Sequence, residues 1–181
     1  MAEEVYQRDL SGEKDMRPMR LWKREVRKEE ELREILNTCK VVRLGLQDEE
    51  GMFIVPVNFG YEFKHQDGQQ KLKLYLHSAR EGRKAEAFAL SPTVALEMDC
   101  GHEMIRGDYT CSYSYAYRSI MGTARIREVT DPEEKIHGLT LLMNHMEPES
   151  DLKFLPEMIE KVGVYCAEVL EFTGKERKRK Q

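Results

Sequence analysis

Short β-rich runs, set too close together for helical crossovers, constrain this chain more than any other feature. The run from Val41 to Leu46 is followed, across the polar turn Gln47 to Gly51, by a second run from Met52 to Tyr61. That pairing predicts a hairpin. Another polar stretch, Lys64 to Gln70, leads into Leu72 to His77, where apolar and polar residues alternate. Thr93 to Met98, Tyr113 to Val129 (with Gly122 as a bend) and Val162 to Phe172 complete the set, and a polar loop begins at Asp99. Antiparallel neighbours accept short turns, whereas each parallel step needs a long and usually helical crossover. The spacing therefore predicts an α+β fold built on an antiparallel, Greek-key-like barrel, and it argues against a doubly wound parallel sheet. Pro56 has no N–H to give to a ladder, so it marks an edge, a bulge or a place where the ladder opens.

Helices flank these runs. Leu32, Ile35, Leu36 and Cys39 recur at i, i+3, i+4 and i+7, one apolar stripe on a polar helix. Ser78 to Leu90 reads as a loop entering a helix that stops before Ser91-Pro92. Thr130 or Asp131 caps a further helix with Pro132 in its first turn and Ile136, Leu139, Leu142 and Met143 on one side. A short helix is predicted around Leu155 to Ile159. The 181 residues suit one domain, read as 21–174. It is preceded by an N-terminal extension, 1–20, and followed by a basic tail, 175–181, read as a solvated end. A net charge of −4 gives no reason to expect nucleic acid or an anionic membrane. The lack of a long apolar run or an export-signal core leads to the expectation of a cytoplasmic protein.

The chemistry concentrates between Leu74 and Leu90. A strand ends in His77-Ser78, and a helix begins near Gly82 with Arg83 and Lys84 in its first turn. Helix N-termini already carry partial positive charge, so two cations there conflict with the dipole unless an anion joins them. A phosphate resolves the conflict through backbone donors from Gly82 onward, the Ser78 hydroxyl and the two side chains. A solvated Arg-Lys pair is the simpler alternative. The four cysteines show no CxxC and are expected as free thiols, with Cys39 and Cys166 in the core. Cys100, His102 and Cys111 do not have a zinc spacing, so no metal is expected, and Asp99, His102 and Glu103 read as an exposed polar loop. Tyr113, Tyr115 and Tyr117 fall on one strand face, either packing or walling a pocket.

The segments FIVPVNFGYE, LYLHSAREGRKAEAF, SYAYRSIMGTARI and VYCAEVLEFTGK, taken together and in order, resemble the pyridoxamine 5'-phosphate oxidase-related FMN-binding proteins. The similarity is to the nitroimidazole-resistance (Nim-like) branch and runs from about Leu21 to Lys175. It implies an FMN-binding split β-barrel, with FMN at the interface of a homodimer. It further implies that the flavin ring edge lies along Val55, Pro56, Val57 and Asn58. The phosphate is implied at His77, Ser78, Gly82, Arg83 and Lys84, and Ser119 is implied to approach from across the dimer. His77 stands near the flavin in that branch and is the one catalytic candidate, against a purely local hydrogen-bonding role. The closing GKERKRKQ does not align with the Arg-rich substrate-phosphate segment of the oxidases proper. The function implied is reduction of a small organic acceptor by a flavin oxidoreductase, a nicotinamide compound being one candidate donor. A non-catalytic flavin carrier or sensor, a haem-binding relative and pyridoxamine-phosphate oxidase activity are the alternatives.

Overall fold

The computed structural model describes residues 19–66 and 68–179, so most of the expected N-terminal extension and the last two residues of the tail lie outside it. A 3-10 turn, Trp22–Arg24, leads into β1 (Glu25–Val26) and α1 (Glu29–Thr38). Then follow β2 (Val41–Asp48), β3 (Gly51–Asn58), β4 (Gly60–Gln66), β5 (Gln69–Ser78) and α2 (Arg83–Leu90). The long hairpin β6 (Thr93–Ile105) and β7 (Ser114–Glu128) precedes α3 (Pro132–Met146), α4 (Pro156–Lys161) and β8 (Gly163–Arg177). Local chemistry explains the helix starts. Glu29, Glu30 and Glu31 place negative charge in the first turn of α1. At α3 the Asp131 carboxylate accepts from the Glu134 N–H at 2.8 Å, and Pro132 opens the first turn.

All pairings are antiparallel, and the sheet runs β3-β2-β6-β7-β8-β5-β4, with β1 added to β8. The two strands at opposite ends of that order, β3 and β4, are consecutive in the chain and share a single linking residue, Phe59. A flat sheet cannot satisfy this, so the sheet rolls until its edges meet at Phe59. The edges stay unpaired, which leaves a seam along the barrel wall. The expected second run from Met52 to Tyr61 is thus two strands, broken where the chain turns the corner. Pro56 lies on β3, an end strand, where the missing N–H costs the ladder least.

Other boundaries differ from the sequence expectation for reasons of pairing. β4 and β5 extend into the polar stretch at 64–70, because each has its partner in the other. β6 continues past Asp99 through a register shift between Cys100 and Glu103, with Gly101 at φ +68°. β8 continues through Lys175 to Arg177, paired to Tyr117, Arg118 and Ser119 of β7, so the start of the basic segment is sheet rather than tail.

The main core fills the barrel and is closed by Leu32, Ile35 and Leu36 of α1. A smaller core lies under α3, around Tyr75, Val129, Val164 and Cys166. Cys39 and Cys166 are buried as expected, and burial pushes both thiols up. Gly60 shows how tightly α3 closes the corner: a Cβ there would lie 2.2 Å from the Leu142 backbone nitrogen. Gly60→Ala is therefore expected to lower unfolding free energy by about 3 kcal/mol or more, since backbone cannot yield as a side chain does. Gly51, at φ +116° with open space around it, serves as the comparison. There Gly51→Ala should cost only the backbone strain, about 1–2 kcal/mol in urea titrations.

Candidate functional site at the barrel seam

β3 ends beside the seam, and its last residues approach the C-terminal part of β5. Val57 and Asn58 are thereby brought toward His77 and Ser78, whose backbones pair with Val164 and Gly163. Val55 and Val57 turn their side chains to the core, so only their backbones are free to face the seam. The Asn58 side chain donates to the Lys40 carbonyl at 2.9 Å, which fixes the end of β3 to the exit of α1. The same exit is held from the other side. His145 Nε2 lies 2.7 Å from the Cys39 carbonyl, and Lys40 Nζ donates to the His145 carbonyl at 2.6 Å. Phe59 and Tyr61 pack on the His145 ring, with centroids 4.8 and 5.4 Å away.

Four residues after Ser78, Gly82 adopts φ +100° and caps α2 without any side-chain cap hydrogen bond. The first-turn N–H groups of α2 are thus unclaimed by a side chain. The two cations in that turn have different surroundings. Arg83 lies over the Phe53 ring at 4.1 Å and donates to Asp48, Nε to Oδ2 at 2.6 Å and Nη2 to Oδ1 at 3.1 Å. Its Nη1 lies 3.6 Å from Glu50. The Arg83 guanidinium in turn holds the Asp48 carboxyl below the usual carboxylate range. The conflict between Arg83 and the helix dipole is therefore eased within the chain, a resolution the sequence argument did not include. Lys84 has no carboxylate partner among the described residues, and partial burial lowers its pKa. It is the uncompensated charge at this helix start.

Ser119 is paired to Asp99 and Lys175 on β7. The Ile126 N–H of the same strand bonds the Pro92 carbonyl just beyond α2, at 2.7 Å. The seven residue steps from Ser119 to Ile126 span about 23 Å of extended strand. One subunit therefore does not gather Ser119 with the α2 start. Ser119 is itself buried, at 8% exposure, on the same side of β7 as Met121, whose face of β2, β3, β6 and β7 carries Met52 and Ile54 at 87% and 70% exposure. The His77 ring is exposed, as are the side chains of Tyr113 and Tyr115, with Tyr117 half-buried. His102 Nε2 is 2.7 Å from Asp99, whose other oxygen accepts from Arg43 at 2.6 Å. Among the described residues no cluster of His, Cys, Asp and Glu is arranged to hold a metal. Sequence reasoning missed Asp48 and Phe53. A turn carboxylate 35 residues from its arginine carries no periodic signal.

A rolled antiparallel sheet with an open seam and an uncapped helix start beside it defines a split-barrel protein. The sequence model of the family described as pyridoxamine 5'-phosphate oxidase matches residues 28–176, and the chain belongs to that family. Among solved structures, it is similar to a candidate 5-nitroimidazole antibiotic resistance protein from Bacteroides thetaiotaomicron, at 29% identity and TM-score 0.70 over 84% of this chain and 86% of that one. That is the branch to which the sequence resemblance pointed. The fold also matches the flavocytochrome Anf3 from Azotobacter vinelandii, at 18% identity and TM-score 0.72, covering 89% of this chain and 72% of that one. An FAD and haem binding protein from Mycobacterium smegmatis matches at 15% identity and TM-score 0.72, covering 87% and 76% of the two chains. No curated protein matches the sequence.

The His145 contact gives the seam a pH dependence. Burial lowers the pKa of His145, which outweighs the hydrogen bond to the Cys39 carbonyl. The folded state thus resists a proton that the unfolded chain accepts below about pH 6.5. Stability from this residue is fully present above that pH and is lost as pH falls toward the folded pKa. Melting temperature should drop between pH 7.5 and 5.5 in the native chain, and less steeply in His145→Gln.

Proposed function

We propose that this chain is an FMN-binding oxidoreductase that works as a homodimer and reduces a small organic acceptor. The observation that carries the flavin reading is the α2 start: backbone donors without a side-chain cap beside a half-buried, unpartnered Lys84. Those groups fit a phosphate monoester, and membership of this family supports flavin mononucleotide as its bearer. Lys84 and the first N–H groups of α2 hold the phosphate, and Ser78 adds a hydroxyl. Arg83 acts mainly by fixing the helix start onto Asp48 and Phe53. The backbone of Val55 to Asn58 offers hydrogen-bonding groups to the ring edge, with Pro56 contributing only a carbonyl.

The outer face with Met52, Ile54 and Met121 supports the dimer. Exposed apolar side chains on a sheet face without a helix over it, set beside the Arg43–Glu97 ion pair, favour a second copy. Gly45 and Ala95 follow Ile54 across the register and keep that part of the face low, whereas Met121 lies in the row of Glu97, Arg43 and Pro56. Such a dimer brings Ser119 of the partner subunit toward the seam, which one subunit does not do by itself. When bound, the flavin supplies transfer of two electrons to the acceptor. The protein orients the ring, limits water and leaves the exposed His77 ring at the mouth.

Purified protein supplied with FMN should be yellow and lose flavin on denaturation. Lys84→Gln is expected to weaken FMN binding by roughly tenfold or more, with a smaller loss for Arg83→Gln. Equal flavin retention in native protein and Lys84→Gln would remove the phosphate assignment. Ile54→Glu should shift the protein from dimer to monomer in sedimentation and release FMN at the same time. Oxidation of a reduced nicotinamide donor by a nitroimidazole, at a rate no higher than that of free FMN, would leave flavin carriage as the function.

A further inference from the structure

The sequence predicts a solvated basic tail after residue 174, yet the first residues of that segment are built into β8. Two ladders explain what this does. β1 pairs with β8 at Glu25–Lys175, which carries Lys23 and Arg24 alongside the end of β8. β7 pairs Tyr117 with Arg177, so the β6–β7 hairpin, and Arg106 with it, projects past the same end. Lys23, Arg24, Arg106 and Arg177 thus converge from three separate stretches to line one cleft of about 690 Å³.

The charges there are not balanced by the cleft's own acids. Among the described residues Lys23, Arg24, Arg106 and Arg177 have no carboxylate partner. Of the three glutamates at the wall, Glu25 is taken by Arg27 at 2.6 Å. Glu176 is shared between Arg118 at 3.5 Å and Lys178 at 3.3 Å. Lys178, the fifth cation at the wall, is thus met by Glu176, and only Glu31 remains to offset the other four. Val26 and Ile105 give the cleft apolar wall. Trp22, the sole tryptophan of the chain and 67% exposed, stands at the adjacent turn, with Lys23 Nζ 5.6 Å from its ring.

We propose that this cleft binds a nucleotide bearing a pyrophosphate, at a site separate from the seam. Three guanidinium forks and an ammonium exceed what one carboxylate or one phosphate engages, and they match the oxygens of two linked phosphates. A volume of this size accommodates the phosphates with a nucleoside. The exposed indole supplies a flat surface on which a base stacks. A nucleic-acid strand fits less well, because the protein as a whole carries net negative charge, −4. The inference does not depend on the flavin reading.

Trp22 emission reports on the site directly, and calorimetry provides an independent measure. Titration of the full chain with ADP should give saturable quenching, tighter than with inorganic pyrophosphate and weakening as salt rises. The triple variant Arg24→Gln/Arg106→Gln/Arg177→Gln should lose roughly tenfold or more in ADP affinity while its far-ultraviolet circular dichroism is unchanged. Arg125→Gln, an exposed cation elsewhere on β7, should bind ADP as the native chain does. Absence of saturable binding, or equal loss in Arg125→Gln, would overturn the site. Equal affinity for pyrophosphate and ADP, or tighter binding of a single-stranded oligonucleotide than of ADP at the same salt, would overturn the nucleotide assignment.

Discussion

The single residue between β3 and β4 governs the architecture. Those strands sit at opposite ends of the sheet order, and Phe59 alone joins them. The sheet has no choice but to roll, and the twist of antiparallel strands makes rolling the low-strain solution. The corner then needs material to hold it. α3 supplies it: Gly60 lies against the Leu142 backbone too closely for any side chain, and the His145 ring packs on Phe59 while reaching the Cys39 carbonyl. Asn58 and Lys40 finish the clasp. The open seam follows from this geometry, because the corner fixes one point of the two edges and leaves the rest apart.

Charge at the start of α2 divides between two neighbours in the sequence. Arg83 reaches back across the chain to the β2–β3 turn and finds Asp48 and the Phe53 ring, so it fastens the helix to the hairpin. Lys84 loses solvent without gaining a carboxylate among the described residues. A residue pair that reads as one motif thus has two environments, one tied to Asp48 and one not. The same separation recurs at the other end of the molecule. Glu25 and Glu176 are consumed by Arg27, Arg118 and Lys178, which leaves Glu31 alone against the other four cations of the cleft.

β8 connects these regions. It pairs with β1, β5 and β7, so it fixes the seam-side strand ends at Gly163 and Val164 and the basic cleft at Arg177. A strand of this length with three neighbours joins, in one ladder, regions that are far apart in the chain. The outer face of the sheet, by contrast, has no covering helix, and its apolar side chains are the part of the surface least suited to water.

The sequence by itself determined the kind of most elements and the approximate place of each. The alternation in Leu72 to His77, the stripe of α1, the Asp131-Pro132 helix start and the close spacing of strands are local signals, and local hydrogen bonding and packing obey them. The family segments likewise lie within the stretch, 28–176, that the family model matches. Only the tertiary structure decided where the second run breaks, that β6 and β8 continue through polar residues, and which cation has a partner. Polar residues extend a strand when a neighbouring strand supplies its ladder bonds, and no window along the chain contains that neighbour. Asp48 and Arg83 meet for the same reason: the rolled sheet carries the β2–β3 turn to the helix start, across a separation that sequence periodicity does not encode.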